Sequence, residues 1–126
     1  MLIGELAQRA GTSTRALRYY EAHGLVRPAR SANGYRTYDD TELTVVREIR
    51  KLLAIGFNLD DIQPFIRCLR AGNRSADVCP DSVQVLRRKL TELDACIDRL
   101  DLVRRQVRTQ LTDAIAQREQ TCQTTL

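Results

Sequence analysis

Arg15, Arg18 and Tyr19 lie at helical spacing within Thr12-Ser-Thr-Arg-Ala-Leu-Arg-Tyr-Tyr-Glu21, and Tyr35, Arg36 and Tyr38 follow in Gly34-Tyr-Arg-Thr-Tyr38. Guanidinium and phenol groups donate hydrogen bonds to phosphate oxygens and base edges, so this cluster suits nucleic acid. Charge points the same way. Residues 1–38 hold six arginines against Glu5 and Glu21, a surplus equal to the net +4 of the whole chain. A basic end on a nearly neutral remainder implies a localised anionic partner, the competing reading being an ordinary solvated face. An enzyme is not expected. No acid–base pair, nucleophile–base set or phosphate loop is visible, and the single histidine, His23, falls at a helix end.

Cysteine is the other reactive residue type. Cys68, Cys79, Cys96 and Cys122 contain no Cys-x-x-Cys pair, which argues against a zinc finger or ribbon. In a cytosolic chain they are expected to be reduced thiols rather than a disulfide framework. Cys79 immediately precedes Pro80 at the start of a helix, where the helix dipole stabilises a thiolate. That suits soft-metal ligation or oxidation sensing, and Cys68, across the segment 71–77, could pair or co-ligate with it. The plainer alternative makes Cys68 and Cys96 small buried hydrophobes and Cys79 a helix cap.

The elements that must carry these groups are mainly helical. At 126 residues the chain supports one compact domain, or a smaller domain plus an extended element. Nothing resembles a signal peptide and no apolar run approaches the roughly 20 residues of a membrane span, so a soluble cytoplasmic protein without membrane contact is expected. Ile3, Leu6, Ala7 and Ala10 mark a short amphipathic helix over 2–10 that Gly11 ends. Thr12, Ser13 and Thr14 offer N-cap oxygens for a second helix reaching about His23, closed by Gly24. Two short helices across a Gly-containing turn make a helix-turn-helix, with Leu17 toward the first helix and Arg15, Arg18 and Tyr19 on another face. Asn33-Gly34 signals a β-hairpin wing, because both residues tolerate the positive φ of the favoured turns.

Asp39 or Asp40 caps a third helix, with its stripe of Leu43, Val46, Ile49, Leu52 and Leu53 running toward Gly56. A fourth restarts over 57–61 and carries Ile62, Phe65, Ile66 and Leu69, with Pro64 tolerated in its first turn. From Cys79-Pro80 the positions Val83, Leu86, Leu90, Leu93, Ile97, Leu100, Arg104, Val107 and Leu111 alternate by three and four, a heptad seam with one polar interruption at Arg104. A helix from 80 to about 115 is roughly 50 Å long and cannot bury its own seam, so homodimerisation through it is expected. The organisation predicted is a DNA-binding head over 1–70, a linker over 71–78, a dimerisation helix over 79–116 and a flexible tail over 117–126.

Ile3-Gly-Glu-Leu-Ala, Arg18-Tyr-Tyr-Glu-(x2)-Gly-Leu, Asn33-Gly-Tyr-Arg-Thr-Tyr38, Ile55-Gly-Phe-(x)-Leu59 and the terminal heptad helix together resemble the MerR family of bacterial regulators, in order and over essentially the whole chain. The resemblance implies a winged helix-turn-helix head on an antiparallel coiled-coil homodimer. Members bind near-palindromic operators in promoters with an unusually long spacer. The effector-bound dimer bends and untwists this DNA so that RNA polymerase engages both promoter elements.

Carried onto this chain, Arg15, Arg18, Tyr19 and the neighbouring Tyr20 lie on the recognition helix. Arg36 with Tyr35 or Tyr38 belongs to the wing, and Arg50 with the helix start at Asn58 forms a second phosphate-facing wing. Plain packing is the rival role for Tyr20 and Tyr38. Metal-sensing members pair a cysteine or serine at the start of the dimer helix with two cysteines in a terminal loop. Here Cys79 takes the first position, but only Cys122 follows the heptads. The cofactor therefore stays open between a soft or transition metal ion at Cys79 with Cys68 or the other chain's Cys122, a thiol-oxidising signal, an organic ligand, and none. An effector-independent architectural or repressor protein using the same head, and a thiol- or metal-buffering protein, are the competing functions.

Overall fold

In the computed structural model, which describes residues 1–124 and the side chains of residues 1–121, five helices and one hairpin follow one another. They are α1 (Ile3–Ala10), α2 (Thr14–Ala22), β1 (Ala29–Arg30), β2 (Arg36–Thr37), α3 (Asp40–Ala54), α4 (Leu59–Arg70) and α5 (Pro80–Thr124). The fold is mainly α with a small antiparallel wing, as the patterns predict. Contacts divide the chain into a unit of residues 1–85 and a second unit from Leu86 onward.

Local signals start and stop the helices. α1 ends where Gly11 turns left-handed (φ 71°), letting Thr12 N–H reach the Ala7 carbonyl at 2.9 Å and Gly11 N–H that of Gln8 at 3.2 Å. Ser13 Oγ then accepts from Ala16 N–H at 3.1 Å and starts α2. The same closure recurs at Gly24, where Leu25 N–H bonds the Tyr20 carbonyl. Asp39 and Asn58 cap α3 and α4 through Glu42 N–H and Asp61 N–H. α1 packs on α2 and α3, and α3 on α4. The fully buried Leu6, Leu17, Leu25, Val46, Ile49 and Phe65 fill the space between them, with Phe57 edge-on to Phe65 at 5.7 Å.

The hairpin wing that Asn33-Gly34 signals is present, and the placement of Pro64 is corrected. β1 and β2 pair in the register Ala29↔Thr37 and Arg30↔Arg36, so residues 31–35 form the loop. Within it Gly34 N–H bonds the Ser31 carbonyl at 2.9 Å, and of the turn pair only Gly34 takes positive φ (81°). Pro64 is the sixth residue of α4, not part of a first turn. It removes the donor that the Asp60 carbonyl would otherwise receive, an interior cost that packing of the adjacent Phe65 and Ile66 offsets.

One polar contact inside the head escapes any periodicity. Glu42, 4% exposed, occupies the third position of α3, where a glutamate usually folds back onto the helix N-terminus. Here it faces inward. Arg70, in the last turn of α4, grips it with two donors, at 2.7 Å to Oε1 and 3.0 Å to Oε2. Arg27 N–H adds a bond to Oε1 at 2.6 Å, and Arg70 also donates to the Leu25 carbonyl at 2.8 Å. The ion pair thus binds both ends of the α3–α4 hairpin to the chain between α2 and the wing.

The segment after α4 is largely exposed but holds some buried contacts. Ala76 and Ser82 are buried and Asn73 Nδ2 donates to the Cys68 carbonyl at 3.0 Å. Asp77 lies near Glu48 of α3. Burial pushes the Glu48 carboxyl above the usual range, Lys51 opposes that shift, and the Asp77 charge adds to it. The first residues of α5, Pro80–Val85, belong to the same unit. α5 continues as helix to Thr124, past the end expected near residue 116.

Leaving Glu42 buried without its cation is costly, so Arg70→Met should lower the unfolding free energy by roughly 3–5 kcal/mol in urea denaturation. A loss below about 1 kcal/mol would mean that the pair behaves as a surface contact.

Candidate nucleic-acid interface

Arg15, Arg18 and Tyr19 are all exposed on α2, while Leu17 and Tyr20 on the same helix are buried. The division follows from 3.6-residue geometry: 15, 18 and 19 share one face, and 17 and 20 turn to the core. Tyr19 is oriented as well as exposed. Its ring meets His23 edge-on at 4.4 Å, and His23 Nδ1 lies 2.9 Å from the Tyr19 carbonyl, so the two rings brace each other along the helix end.

The wing is tied to this helix through Glu21. Its carboxylate accepts from Arg36 at 2.8 Å and from the Tyr38 hydroxyl at 3.2 Å. Burial pushes the Tyr38 phenol above its ordinary value, and the Glu21 charge and hydrogen bond push it further. Tyr38 is locked from the backbone side as well, its N–H donating to the Met1 carbonyl at 2.7 Å. Tyr35 stands out from the wing, 67% exposed, and Arg27 and Arg30 at the wing's root are exposed too.

The expected contact residues therefore separate. Tyr20 (7% exposed) and Tyr38 (2%) are core residues, so of the two roles expected for them the packing one is what their burial favours over DNA contact. Arg50 also has a structural task, donating to the Ala10 carbonyl at 2.6 Å and passing over Gly11 so closely that a Cβ there would meet its guanidinium at 2.8 Å. Asn58 caps α4, its oxygen taken by Asp61 N–H at 2.9 Å, which leaves the earlier backbone N–H groups of that helix for any anion. Glu21 went unrecognised in the sequence because both its partners lie 15 or more residues away.

The cysteines depart furthest from expectation. Cys68 and Cys79, expected as reduced thiols but also named as able to pair, form a disulfide with Cα atoms 5.8 Å apart. Cys96 is exposed on α5, not a buried hydrophobe. The side chain of Cys122 lies outside the described residues. Among the described residues no group of three or more His, Cys, Asp or Glu could hold a metal ion. As bonded here the two sulfurs do not fit a metal site: each thiolate has lost one electron in forming the S–S bond, and the neutral sulfurs that result are poor ligands for a cation.

Comparison with known proteins agrees with this architecture. The family model described as "MerR HTH family regulatory protein" matches residues 1–68, and that described as "MerR, DNA binding" matches residues 43–110. The chain belongs to the MerR family. Among its relatives is the HTH-type transcriptional regulator HmrR of Rhizobium leguminosarum bv. viciae, 36% identical over 105 residues that cover 83% of this chain and 79% of the relative. Among solved structures, the transcription regulator PbrR691 from Ralstonia metallidurans CH34, in complex with lead(II), superposes with a TM-score of 0.71 at 26% identity, covering 85% of this chain and 82% of that one. HiNmlR, a MerR family regulator lacking the sensor domain and bound to promoter DNA, shares the fold at a TM-score of 0.57 and 24% identity, over 80% of this chain and 75% of that one. This MerR protein is a DNA-binding transcriptional regulator and not an enzyme.

Tyr38→Phe removes one of two bonds that hold the wing to α2. We expect a loss of about 1 kcal/mol in thermal or urea unfolding with the fold retained. An unchanged stability would show that the Arg36–Glu21 pair alone fastens the wing.

Proposed function

We propose that this MerR protein binds a near-palindromic promoter operator as a homodimer and activates transcription by distorting the DNA for RNA polymerase. The single observation that carries the dimer is the apolar seam of α5. Leu90, Leu93, Ile97, Leu100, Val107 and Leu111 are exposed within one chain, from 45% at Leu93 to 65% at Leu100. An amphipathic helix with that much uncovered hydrocarbon gains from a partner presenting the same stripe. Val83 and Leu86, assigned to the seam by their spacing, are half-buried already. Val103, also exposed, borders the seam beside Arg104, whose guanidinium is held by Asp101 at 2.6 Å.

Two heads on such a dimer present Arg15, Arg18 and Tyr19 twice, which matches a two-fold operator. Arg36 is available for phosphate despite its tie to Glu21. An ion pair with a half-exposed guanidinium contributes under about 1 kcal/mol, so exchange of carboxylate for phosphate costs little. Work beside DNA implies a cytoplasmic protein, and no described helix is long and apolar enough to cross a membrane. The lead(II) complex of PbrR691 favours a metal as effector; the paired sulfurs here favour a thiol-directed signal.

The interface is tested with duplexes that the wild-type protein enriches from a random pool. Arg18→Ala and Arg36→Ala should each weaken binding and flatten the salt dependence by about 0.9 in log–log slope for each phosphate that is no longer neutralised. Unchanged affinity and slope in the double variant would sink the head assignment. Ile97→Glu places a carboxylate in the seam and should shift sedimentation from dimer toward monomer at micromolar concentration, with DNA affinity falling in parallel. A variant that stays fully dimeric would place the interface elsewhere.

A further inference from the structure

We infer that Cys68 and Cys79 form a reversible thiol–disulfide switch that sets how tightly the first turns of α5 are fastened to the DNA-binding head. The inference deepens the proposed regulator reading and rests on it.

The two cysteines occupy unlike positions. Cys68 lies in the last turn of α4 and is 2% exposed. Cys79 is half-buried and stands directly before the α5 N-terminus. Each sulfur also faces a group suited to its reduced form. Asn73 Nδ2 lies 3.4 Å from the Cys79 sulfur, a donor for a thiolate that the helix N-terminus also favours. The Ser75 carbonyl lies 3.6 Å from the Cys68 sulfur, an acceptor for a thiol proton that a disulfide does not have. The intervening loop is therefore furnished for both redox states. A regulator that works on DNA sits in a compartment whose thiol pool keeps most cysteines reduced, where a disulfide is typically transient and redox-sensing.

The chemistry balances with a low-molecular-weight disulfide as oxidant. The Cys79 thiolate, the less buried of the two, attacks one sulfur of that disulfide and expels one small thiolate, leaving a mixed disulfide on Cys79. The Cys68 thiolate then attacks the Cys79 sulfur and expels the second. Two electrons pass from the protein to the oxidant, and the two protons lost by the cysteines end on the two small thiols. Oxidation joins the end of α4 to the start of α5 across an 11-residue separation. Reduction leaves that junction to Asn73 and to the burial of Ala76 and Ser82.

The test uses the full chain equilibrated in glutathione buffers of graded reduced-to-oxidised ratio, trapped by alkylation and mapped. A peptide linking Cys68 to Cys79 should appear and disappear reversibly. Hydrogen exchange of the amides of residues 80–85 should quicken by about tenfold or more on reduction, because closing a loop of this length restrains local opening. Cys79→Ser should show the fast exchange at every ratio, and Cys96→Ser should respond as wild type. Affinity for the selected duplex should change by about threefold or more between states in wild type only, the signature of coupling between the two sites.

A persistent glutathione adduct on Cys79, or exchange blind to redox state, overturns the switch. So does cadmium(II) alone bound by both thiolates of the reduced protein and blocking disulfide formation, which would make the pair a metal site. If no duplex is enriched, the regulator reading fails while alkylation and exchange still decide the switch. A retained duplex with redox-blind exchange sinks the switch alone.

Discussion

The head depends on one buried charge pair. Glu42 and Arg70 come from opposite ends of the α3–α4 hairpin, and their hydrogen bonds extend to the Leu25 carbonyl and the Arg27 N–H. Those backbone groups belong to the bend where the chain leaves α2 for the wing, a place with no helix or sheet partner of its own. Buried backbone groups must be paired. The ion pair supplies both a donor and an acceptor, and so holds the bend between α2 and the hairpin. A hydrophobic pair of similar volume could fill the space but could not answer those groups.

The same device appears at Glu21. An acid in the middle of a basic surface works against anion binding if it is unpaired, and does little harm if its charge is taken up within the protein. Arg36 and Tyr38 engage it from the wing, so the carboxylate that would repel phosphate becomes the fastening that sets wing against helix. Arg50 is used similarly. It closes the carbonyl end of α1 over Gly11, where only hydrogen leaves room for its guanidinium. Charged residues that look like one basic patch thus divide into those that build the surface and those, such as Arg15 and Arg18, that stand exposed on it.

At the far end of α4, Arg70 and Cys68 sit two residues apart. One holds the wing root and the other is bonded to the start of α5. The sulfur pair and the clamp on the Leu25 carbonyl thus share one helix turn. This is the short physical route by which a thiol signal would reach the DNA-binding face.

Much of this was legible in the chain itself. The 3.6-residue stripes of α1 to α4, the Ser13, Asp39 and Asn58 caps and the glycine closures are local, because their partners lie within five residues; the heptads of α5 announce a surface without a partner. The split between Arg15, Arg18, Tyr19 and the buried Leu17 follows from helix geometry alone. What tertiary structure decided involves residues remote in sequence. Tyr38 is held at Glu21 because the wing folds back onto α2, a closure that no window of sequence contains. Glu42 reads as a solvated first-turn acid until Arg70, 28 residues on, is brought beside it. For Cys68 and Cys79 the sequence left pairing, co-ligation and separate thiols open, and the fold brings their Cα atoms to 5.8 Å. Periodicity reports which face of an element is apolar; which polar groups meet inside depends on how the elements cross, and that is settled only when the whole head is assembled.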